Sequence, residues 1–201
     1  LFSRKYLRNT AVGGIFYGAQ AFTFFGISIF LPILVAKMGI GDANFVTYLY
    51  NGCMLAGVII GTIIFNRLTR RQFLVAGFAL SAACLLIIVF WRHMPNEVEL
   101  VIFSLFSLIL SAGLVIENPY MSELYDATVR GTGVGMVVMI SRFGAAAGTF
   151  LLPVITAQAG VNVAMLVCGV ILAFAGIFCF VFAPETRPQV GGQKPTQEAA
   201  K

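Results

Sequence analysis

The chain has 201 residues, of which 59% are hydrophobic and 10% are charged, and its mean hydropathy is +0.93. Soluble domains are about one quarter charged, so this composition indicates an integral membrane protein. The net charge is +5, but the cations lie in short segments between apolar runs and form no basic face, which argues against nucleic acid as a partner.

Six apolar runs are long enough to cross a bilayer core of about 30 Å, which needs about 20 residues at 1.5 Å each. They predict transmembrane helices over 11–36, 45–65, 73–91, 98–120, 133–158 and 161–183. Helices are required because amides facing lipid must bond within their own segment. A cytoplasmic loop over 1–10 precedes the first helix, and a polar tail over 184–201, rich in proline and glycine, is expected to be disordered. The predicted fold is all-α.

Lysine and arginine are unevenly distributed between the two ends of the predicted spans. An even number of spans places both termini on one side, and ten cations outside the spans lie there: Arg4, Lys5, Arg8, Arg67, Arg70, Arg71, Arg130, Arg187, Lys194 and Lys201. The other side has Lys37 and Arg92. By the positive-inside rule, we expect both termini to be cytoplasmic in a multi-pass protein of the plasma or inner membrane.

Small residues and cysteines inside the spans indicate packing and give no sign of metal chemistry. Cysteines without CxxC spacing or histidine partners are typical of apolar packing, so no metal or other cofactor is expected. No nucleophile stands beside a base, so the sequence does not indicate an enzyme. Glycines four residues apart predict close helix contacts. These pairs are Gly14 with Gly18, Gly57 with Gly61, and Gly144 with Gly148.

Two ionisable residues fall inside the spans, Glu117 in the fourth and Arg142 in the fifth. An arginine at a helix centre costs about 2.5–3.5 kcal/mol on insertion, so neither residue should face lipid. One interpretation is a mutual ion pair that fixes adjacent helices. The other is a solute pathway in which Arg142 attracts a carboxylate and Glu117 carries a proton or accepts a hydrogen bond. Intramembrane charges favour the second interpretation.

Four motifs occur in an order that resembles the major facilitator superfamily of transporters. SELYDATVRGTGVG (122–135) resembles the cytoplasmic connection between helices ten and eleven, which reads like E-L-F-P-T-x-x-R-G-T-G. NRLTRR (66–71) is similar to the D-R-x-G-R-R loop after helix eight. SRFGAAAGTFLLP (141–153) resembles the eleventh helix of sugar-porter-like metabolite:H+ symporters, and APETR (183–187) resembles their P-E-T-K/R ending. The resemblance implies helices seven to twelve, the C-terminal half of a twelve-helix bundle.

The resemblance implies a cytoplasmic gate, in which ion pairs among these motifs close the cytoplasmic mouth. Asn66 stands where the family usually has aspartate, Thr69 where it has glycine, and Asp126 where it has proline. An alternative is that the charges anchor helix ends among the lipid head groups. The matching gate positions are Arg67, Arg70, Arg71, Glu123, Arg130 and Glu185.

The resemblance also implies a solute site. In sugar-porter-like members a glutamine of helix seven bonds the solute, and Gln20 matches it. The cavity positions of helices ten and eleven fall on Glu117, Asn118 and Arg142, where Asn118 and Arg142 depart from the aromatic residues of sugar porters. Guanidinium binds carboxylate bidentately, so Arg142 favours an organic acid, such as an aromatic or sugar acid. The further candidates for the wall, with ordinary helix packing as the alternative, are Tyr17, Phe24, Tyr50 and Asn51.

These features support three functional hypotheses. The first is secondary active transport of a small polar organic solute by alternating access, with H+ coupling through Glu117, in a bilayer and together with an N-terminal six-helix half. The second is a membrane sensor or truncated homologue that binds the solute without moving it. The third is a pair of copies that completes the twelve-helix bundle.

Overall fold

The computed structural model describes residues 4–38, 43–65, 69–91 and 94–183. Each of its six helices is long and apolar enough to cross a membrane. This confirms the predicted all-α fold with six spans. The helices are α1 (Arg4–Met38), α2 (Ala43–Phe65), α3 (Arg70–Phe90), α4 (Asn96–Glu123), α5 (Arg130–Gln158) and α6 (Val161–Phe182).

Helices α1, α4 and α5 extend beyond the apolar runs. The sequence predicts a loop over 1–10, but α1 is already helical from Arg4. The segment RKYLRNT contains no glycine or proline, so nothing interrupts the helical hydrogen bonds before the apolar run begins. Pro119 and Pro153 lie inside α4 and α5 and do not end them. Polar turns of these helices therefore project past the apolar runs.

The six helices form a layer of four with two helices behind it. Helix α1 packs most extensively on α5, α2 packs on α4, and α1 also touches α4, which gives the layer order α2, α4, α1, α5. Helices α3 and α6 pack on each other, and behind the layer α3 contacts α4 and α6 contacts α1. The side of the layer away from α3 and α6 is called the open face below.

Glycines allow the helix backbones of the layer to touch. A Cβ atom added to Gly57 of α2 would lie 2.2 Å from the carbonyl oxygen of Leu108 in α4. A Cβ atom added to Gly144 of α5 would lie 2.5 Å from the carbonyl oxygen of Gly18 in α1. The glycine one turn further along each helix makes a similar approach. The close contacts predicted from the glycine spacing are confirmed at these positions.

These contacts reveal an internal two-fold repeat. Exchanging α1–α3 with α4–α6 converts the α1–α5 pair into the α4–α2 pair and the α1–α6 contact into the α4–α3 contact. Gly57 and Gly144 lie equally far from the first residues of α2 and α5. Successive spans run in opposite directions, so the two three-helix units are inverted about an axis in the membrane plane. No such repeat is apparent in the sequence.

Candidate functional site

Glu117 lies at the centre of a polar cluster between three helices of the layer. Its side chain on α4 is 7% exposed. The Tyr17 hydroxyl of α1 lies next to its carboxylate, and Arg142 of α5 lies within electrostatic range of both groups. The structure thus brings together three residues that the sequence places in three separate spans.

Helix register explains why these residues meet. Gly13 of α1 packs against Met121 of α4, where an added Cβ would lie 3.1 Å from the methionine sulfur. Helices α1 and α4 run in opposite directions, so one turn further along each helix places Tyr17 beside Glu117. Arg142 reaches the same level because it precedes the Gly144 contact with α1 by half a turn. The cluster is therefore a consequence of backbone packing.

The cluster presents its cation, and not its acid, to the open face. A buried carboxylate needs partners, and Glu117 has the Tyr17 hydroxyl and the nearby positive charge. Arg142 is exposed. Its guanidinium has five N–H donors in a planar fork that matches a carboxylate. The exposed side of Arg142 therefore offers hydrogen-bond donors to a carboxylate at the open face.

Asn118 and Phe24 flank this cluster. Asn118 follows Glu117 directly and is exposed. Phe24 stands two turns beyond Tyr17 on the same side of α1, is half-buried, and contacts Phe25 edge-on with ring centroids 5.3 Å apart. An amide group therefore follows Glu117 directly on α4, and an aromatic ring lies about 10 Å further along α1 than Tyr17.

Gln20 lies inside the helix bundle and not at the open face. Its side chain is 2% exposed and its Nε2 donates a hydrogen bond to the carbonyl oxygen of Leu110 at 3.3 Å. The crevice beside it, between α1, α3 and α4, has about 20 Å³ of free space, which is room for about one water molecule. Contact between Gln20 and a solute would require α1 or α4 to move.

Tyr50 and Asn51 occupy a different level of the layer. Tyr50 is 2% exposed, its hydroxyl lies 3.0 Å from Ser28 Oγ, and its ring stacks on Phe103. Asn51 is exposed and donates a hydrogen bond to the carbonyl oxygen of its own helix one turn earlier. Asn51 precedes the Gly57 contact along α2, and Glu117 follows that contact along α4. The two residues are therefore about 20 Å apart along the helix axes. A small solute at Arg142 would not reach Asn51.

A polar row runs along the exposed side of α2, and the sequence analysis identified only one of its members, Asn51. The row is Asn44, Tyr48, Asn51 and Thr62, and Tyr48 is 77% exposed. Two exposed apolar residues, Leu55 and Ile59, lie on the same side of the helix between Asn51 and Thr62. Successive polar residues of the row are four, three and eleven residues apart, and these helical spacings are the signal that would have identified this face.

The end of the bundle where α1 begins is called the basic end; it comprises residues 4–10, 65, 69–72, 122–131 and 180–183. There Arg70 is 7% exposed, donates a hydrogen bond to the carbonyl oxygen of Phe65 at 3.0 Å, and lies over the Phe65 ring. Its Nε lies 3.5 Å from Glu123 Oε1. Arg70 therefore caps the carboxyl end of α2 and pairs with the end of α4.

Two further arginines bind the carboxyl end of α6. Arg71 donates a hydrogen bond to the carbonyl oxygen of Phe180, and its guanidinium lies 5.4 Å from the centre of that ring. Arg8 donates two hydrogen bonds to the carbonyl oxygen of Phe182, at 2.9 and 3.2 Å. Both cations lie where the helix dipole is negative.

The start of α1 is tied to the connection between α4 and α5. Tyr6 donates a hydrogen bond to Asp126 at 2.5 Å, and Asn9 donates one to the carbonyl oxygen of Leu124 at 2.6 Å. The Tyr125 hydroxyl lies 2.9 Å from Thr10, and burial raises the pKa of Tyr125, which keeps this hydroxyl protonated. The polar turns of α1 thus hold the connection in place.

Comparison with known proteins assigns the family. A family model described as Major Facilitator Superfamily matches residues 13–201 of the chain. The chain belongs to this superfamily. It is 31% identical over 189 residues to the inner membrane metabolite transport protein YgcS of Escherichia coli K12, covering 93% of this chain and 42% of that protein. It is 22% identical over 171 residues to the cis,cis-muconate transport protein of Acinetobacter baylyi, covering 84% of this chain and 41% of that protein.

This membership of the major facilitator superfamily confirms the resemblance drawn from the four motifs. A further relative, YaaU of Escherichia coli K12, is 24% identical over 190 residues, covering 93% of this chain and 43% of that protein. The chain spans about two fifths of the length of the curated relatives that it matches. All three relatives carry names that describe transport proteins.

Within this superfamily framework, the gate positions have different local roles. Among the described residues, Glu123 pairs with Arg70, Arg71 binds α6, and Arg130 is exposed at the start of α5. Arg67 and Glu185 lie outside the described residues, as does Asn66. Thr69, a departure from the family pattern, caps α3 by accepting a hydrogen bond from the amide of Gln72.

Proposed function

We propose that this chain forms helices seven to twelve of a secondary transporter that moves a small organic anion across the plasma or inner membrane by alternating access. Its termini are cytoplasmic, in agreement with the concentration of cations at the basic end. An N-terminal six-helix half supplies the opposite wall of the cavity, because solute sites in such folds lie between repeats.

The exposed guanidinium of Arg142 is the observation that carries the proposal. An arginine in a membrane helix is costly unless it faces water or a partner. Glu117 and Tyr17 support it from one side, and its other side is on the open face. Bidentate binding of a carboxylate to guanidinium would fill that side. The muconate transport protein among the relatives is named for a dicarboxylate, which agrees with an anionic solute.

Glu117 is the proposed proton-coupling group. It is buried beside the cation that would hold the solute. A proton on Glu117 removes the negative charge that competes with the solute for Arg142. Proton and anion would therefore bind together, which is the requirement for symport.

The proposed cytoplasmic gate uses weak ion pairs at the basic end. The Arg70–Glu123 pair is one such ion pair among the described residues. The other gate positions would form further pairs between the two halves. Partly exposed pairs contribute about 0–1 kcal/mol each. Weak pairs suit this role because alternating states must differ by only a few kcal/mol to interconvert.

Uptake by cells carrying the full-length parent protein tests the proposal. Labelled organic acids and sugars are supplied at two external pH values to wild type, Arg142→Ala and Arg142→Lys. We expect acid uptake that is stronger at acid pH, is lost in the alanine variant and is partly kept in the lysine variant. Acid uptake that Arg142→Ala leaves unchanged would remove Arg142 from the site.

Two other hypotheses give distinct results in related assays. A sensor or truncated homologue would bind the labelled solute in membranes without concentrating it in cells. A pair of copies would transport when the chain is expressed alone and would crosslink as dimers. Transport restored only by co-expression with an N-terminal half would support the two-half carrier.

A further inference from the structure

A groove runs between α3 and α6, and it is called the α3–α6 groove below. It consists of an apolar part of about 360 Å³ and a part of about 460 Å³ nearer the basic end, and both parts are lined by Val75 and Phe180. Volumes of this size are typical of ligand sites. All the lining residues belong to α3 and α6, which lie behind the layer of four helices. The groove therefore opens on the outer side of these two helices, opposite the open face.

This outer side of α3 and α6 is a lipid-facing surface. Large apolar side chains are exposed along it, including Leu80 at 54%, Ile177 at 67% and Phe180 at 60%. The N-terminal half of the proposed transporter would cover the open face, on the other side of the bundle. Acyl chains are as apolar as these side chains, so they are the material that covers such a surface in a membrane.

Small side chains give the α3–α6 groove its depth. Its lining includes five alanines and Gly176, where an added Cβ would lie 3.1 Å from the Cβ of Phe78. The two helices thus approach closely at the base of the groove. From Val75 to Leu86 the groove follows α3 for about 16 Å at 1.5 Å per residue. This length matches one leaflet, which is half of a hydrocarbon core of about 30 Å.

Arg71 supplies a cation at the end of the groove nearer the basic end. Its guanidinium donates a hydrogen bond to the carbonyl oxygen of Phe180 and has five N–H donors in all, so further donors remain for a ligand. In the part of the chain that the structure describes, no carboxylate forms an ion pair with Arg71. The exposed amide of Gln72 lines the same part of the groove. This end therefore has a positive charge that the described residues do not balance.

We propose that the α3–α6 groove binds an anionic phospholipid, with its phosphate at Arg71 and Gln72 and one acyl chain lying between the helices as far as Leu86. Arginine and phosphate form strong, charge-assisted hydrogen bonds. In the proposed orientation the basic end lies in the cytoplasmic leaflet, where anionic lipids attract cations of membrane proteins. This lipid site lies on the opposite side of the bundle from Arg142 and does not depend on the identity of the solute.

Native mass spectrometry of the full-length parent protein tests the contact with the head group. The protein in detergent receives equal amounts of phosphatidylglycerol and phosphatidylcholine with identical acyl chains, and the lipids that stay bound are counted. We expect wild type to retain at least fivefold more phosphatidylglycerol, and Arg71→Ala to retain the two lipids equally. Arg130→Ala is the matched control and should keep the wild-type preference, because Arg130 is an exposed cation of the basic end that does not line the groove.

A substitution inside the groove tests the contact with the acyl chain. Ala79 is exposed and lines the apolar part, so the ring of Ala79→Phe would take the space of the chain without entering the core. Leu80→Phe is the matched control, since Leu80 is exposed beside the groove but does not line it. Ala79→Phe should lower the retained phosphatidylglycerol at least fivefold, whereas Leu80→Phe should leave it unchanged. Glycerol 3-phosphate, which has the phosphate but no acyl chain, should not displace the lipid.

Three results would overturn the lipid site. The first is equal retention of the two lipids by wild type. The second is an equal loss of preference in Arg71→Ala and Arg130→Ala, which would show a general attraction of the basic end for anions. The third is displacement by glycerol 3-phosphate, which would assign Arg71 to a free phosphate group. If Arg71→Ala does not fold, the comparison of Ala79→Phe with Leu80→Phe decides. The uptake assay with the Arg142 variants is independent of these results.

Discussion

Substitution of Gly57 by alanine should separate α2 from α4. The added Cβ would lie 2.1 Å from Ser111 Oγ and 2.2 Å from the carbonyl oxygen of Leu108. Ordinary carbon contacts need about 3.5 Å, so the helices must move apart by about 1 Å at this point. Part of the obstacle is backbone, which cannot rotate away. Overpacking of this kind typically costs about 1–3 kcal/mol.

Thermal unfolding of the detergent-solubilised parent protein, followed with a maleimide dye, measures this loss. Cys84, Cys168 and Cys179 are buried and should react only as the helices separate. A loss of 1 kcal/mol lowers the midpoint temperature by about 2–4 °C in domains of this size, so we expect a decrease of several degrees for Gly57→Ala.

Gly52→Ala is the matched control on the same helix. A Cβ at Gly52 would meet nothing within 4 Å. Both substitutions replace glycine by alanine inside α2 and therefore gain the same helix propensity, up to about 1 kcal/mol. Gly52→Ala should leave the midpoint unchanged or raise it slightly. Equal midpoints for the two variants would refute the packing described for α2 and α4.

Three further substitutions probe the site and the basic end. Tyr17→Phe removes the hydroxyl beside Glu117 with little change in packing volume, and should lower uptake at least tenfold with normal membrane abundance. Uptake at the wild-type rate would contradict the cluster. Gly113→Ala brings a methyl group 2.9 Å from Gln20 Nε2, which belongs to a flexible side chain that can move. The substitution should change stability by less than about 1 kcal/mol in the dye assay. Loss of folding would show that Gln20 cannot shift. Arg70→Lys loses the planar fork that caps α2 and should lower the midpoint temperature, whereas an unchanged midpoint would assign this arginine to gating alone.

The fold was predictable because length and hydropathy determine how many helices cross a bilayer. The direction in which each helix faces was not predictable. Lipid and the bundle interior are both apolar, so a membrane helix has no simple hydrophobic side. Gln20 and Tyr50 illustrate this limit, since a wall residue and a core residue look alike in sequence and the structure buries both.

The two charged residues of the cluster, unlike Gln20 and Tyr50, could be identified from the sequence. Charge inside a span is rare enough that Glu117 and Arg142 stand out in any register. Their neighbour Tyr17 could not be identified from the sequence, because it resembles other tyrosines until Gly13 and Met121 set the register between α1 and α4. The internal repeat escaped the sequence analysis because it is expressed in backbone contacts and not in shared residues.

The arginines whose side chains are described differ in how the fold accommodates their charge. Arg8, Arg70 and Arg71 donate to carbonyl oxygens at the ends of helices, where those oxygens lack partners within the helix. Arg142 lies in the middle of α5, where the helix uses its own carbonyl oxygens, so a backbone cap of this kind is not available to it. Its charge must be met by Glu117 and by whatever occupies the open face. Helix capping gives Arg8, Arg70 and Arg71 a partner within the protein, whereas the exposed side of Arg142 has no such cap.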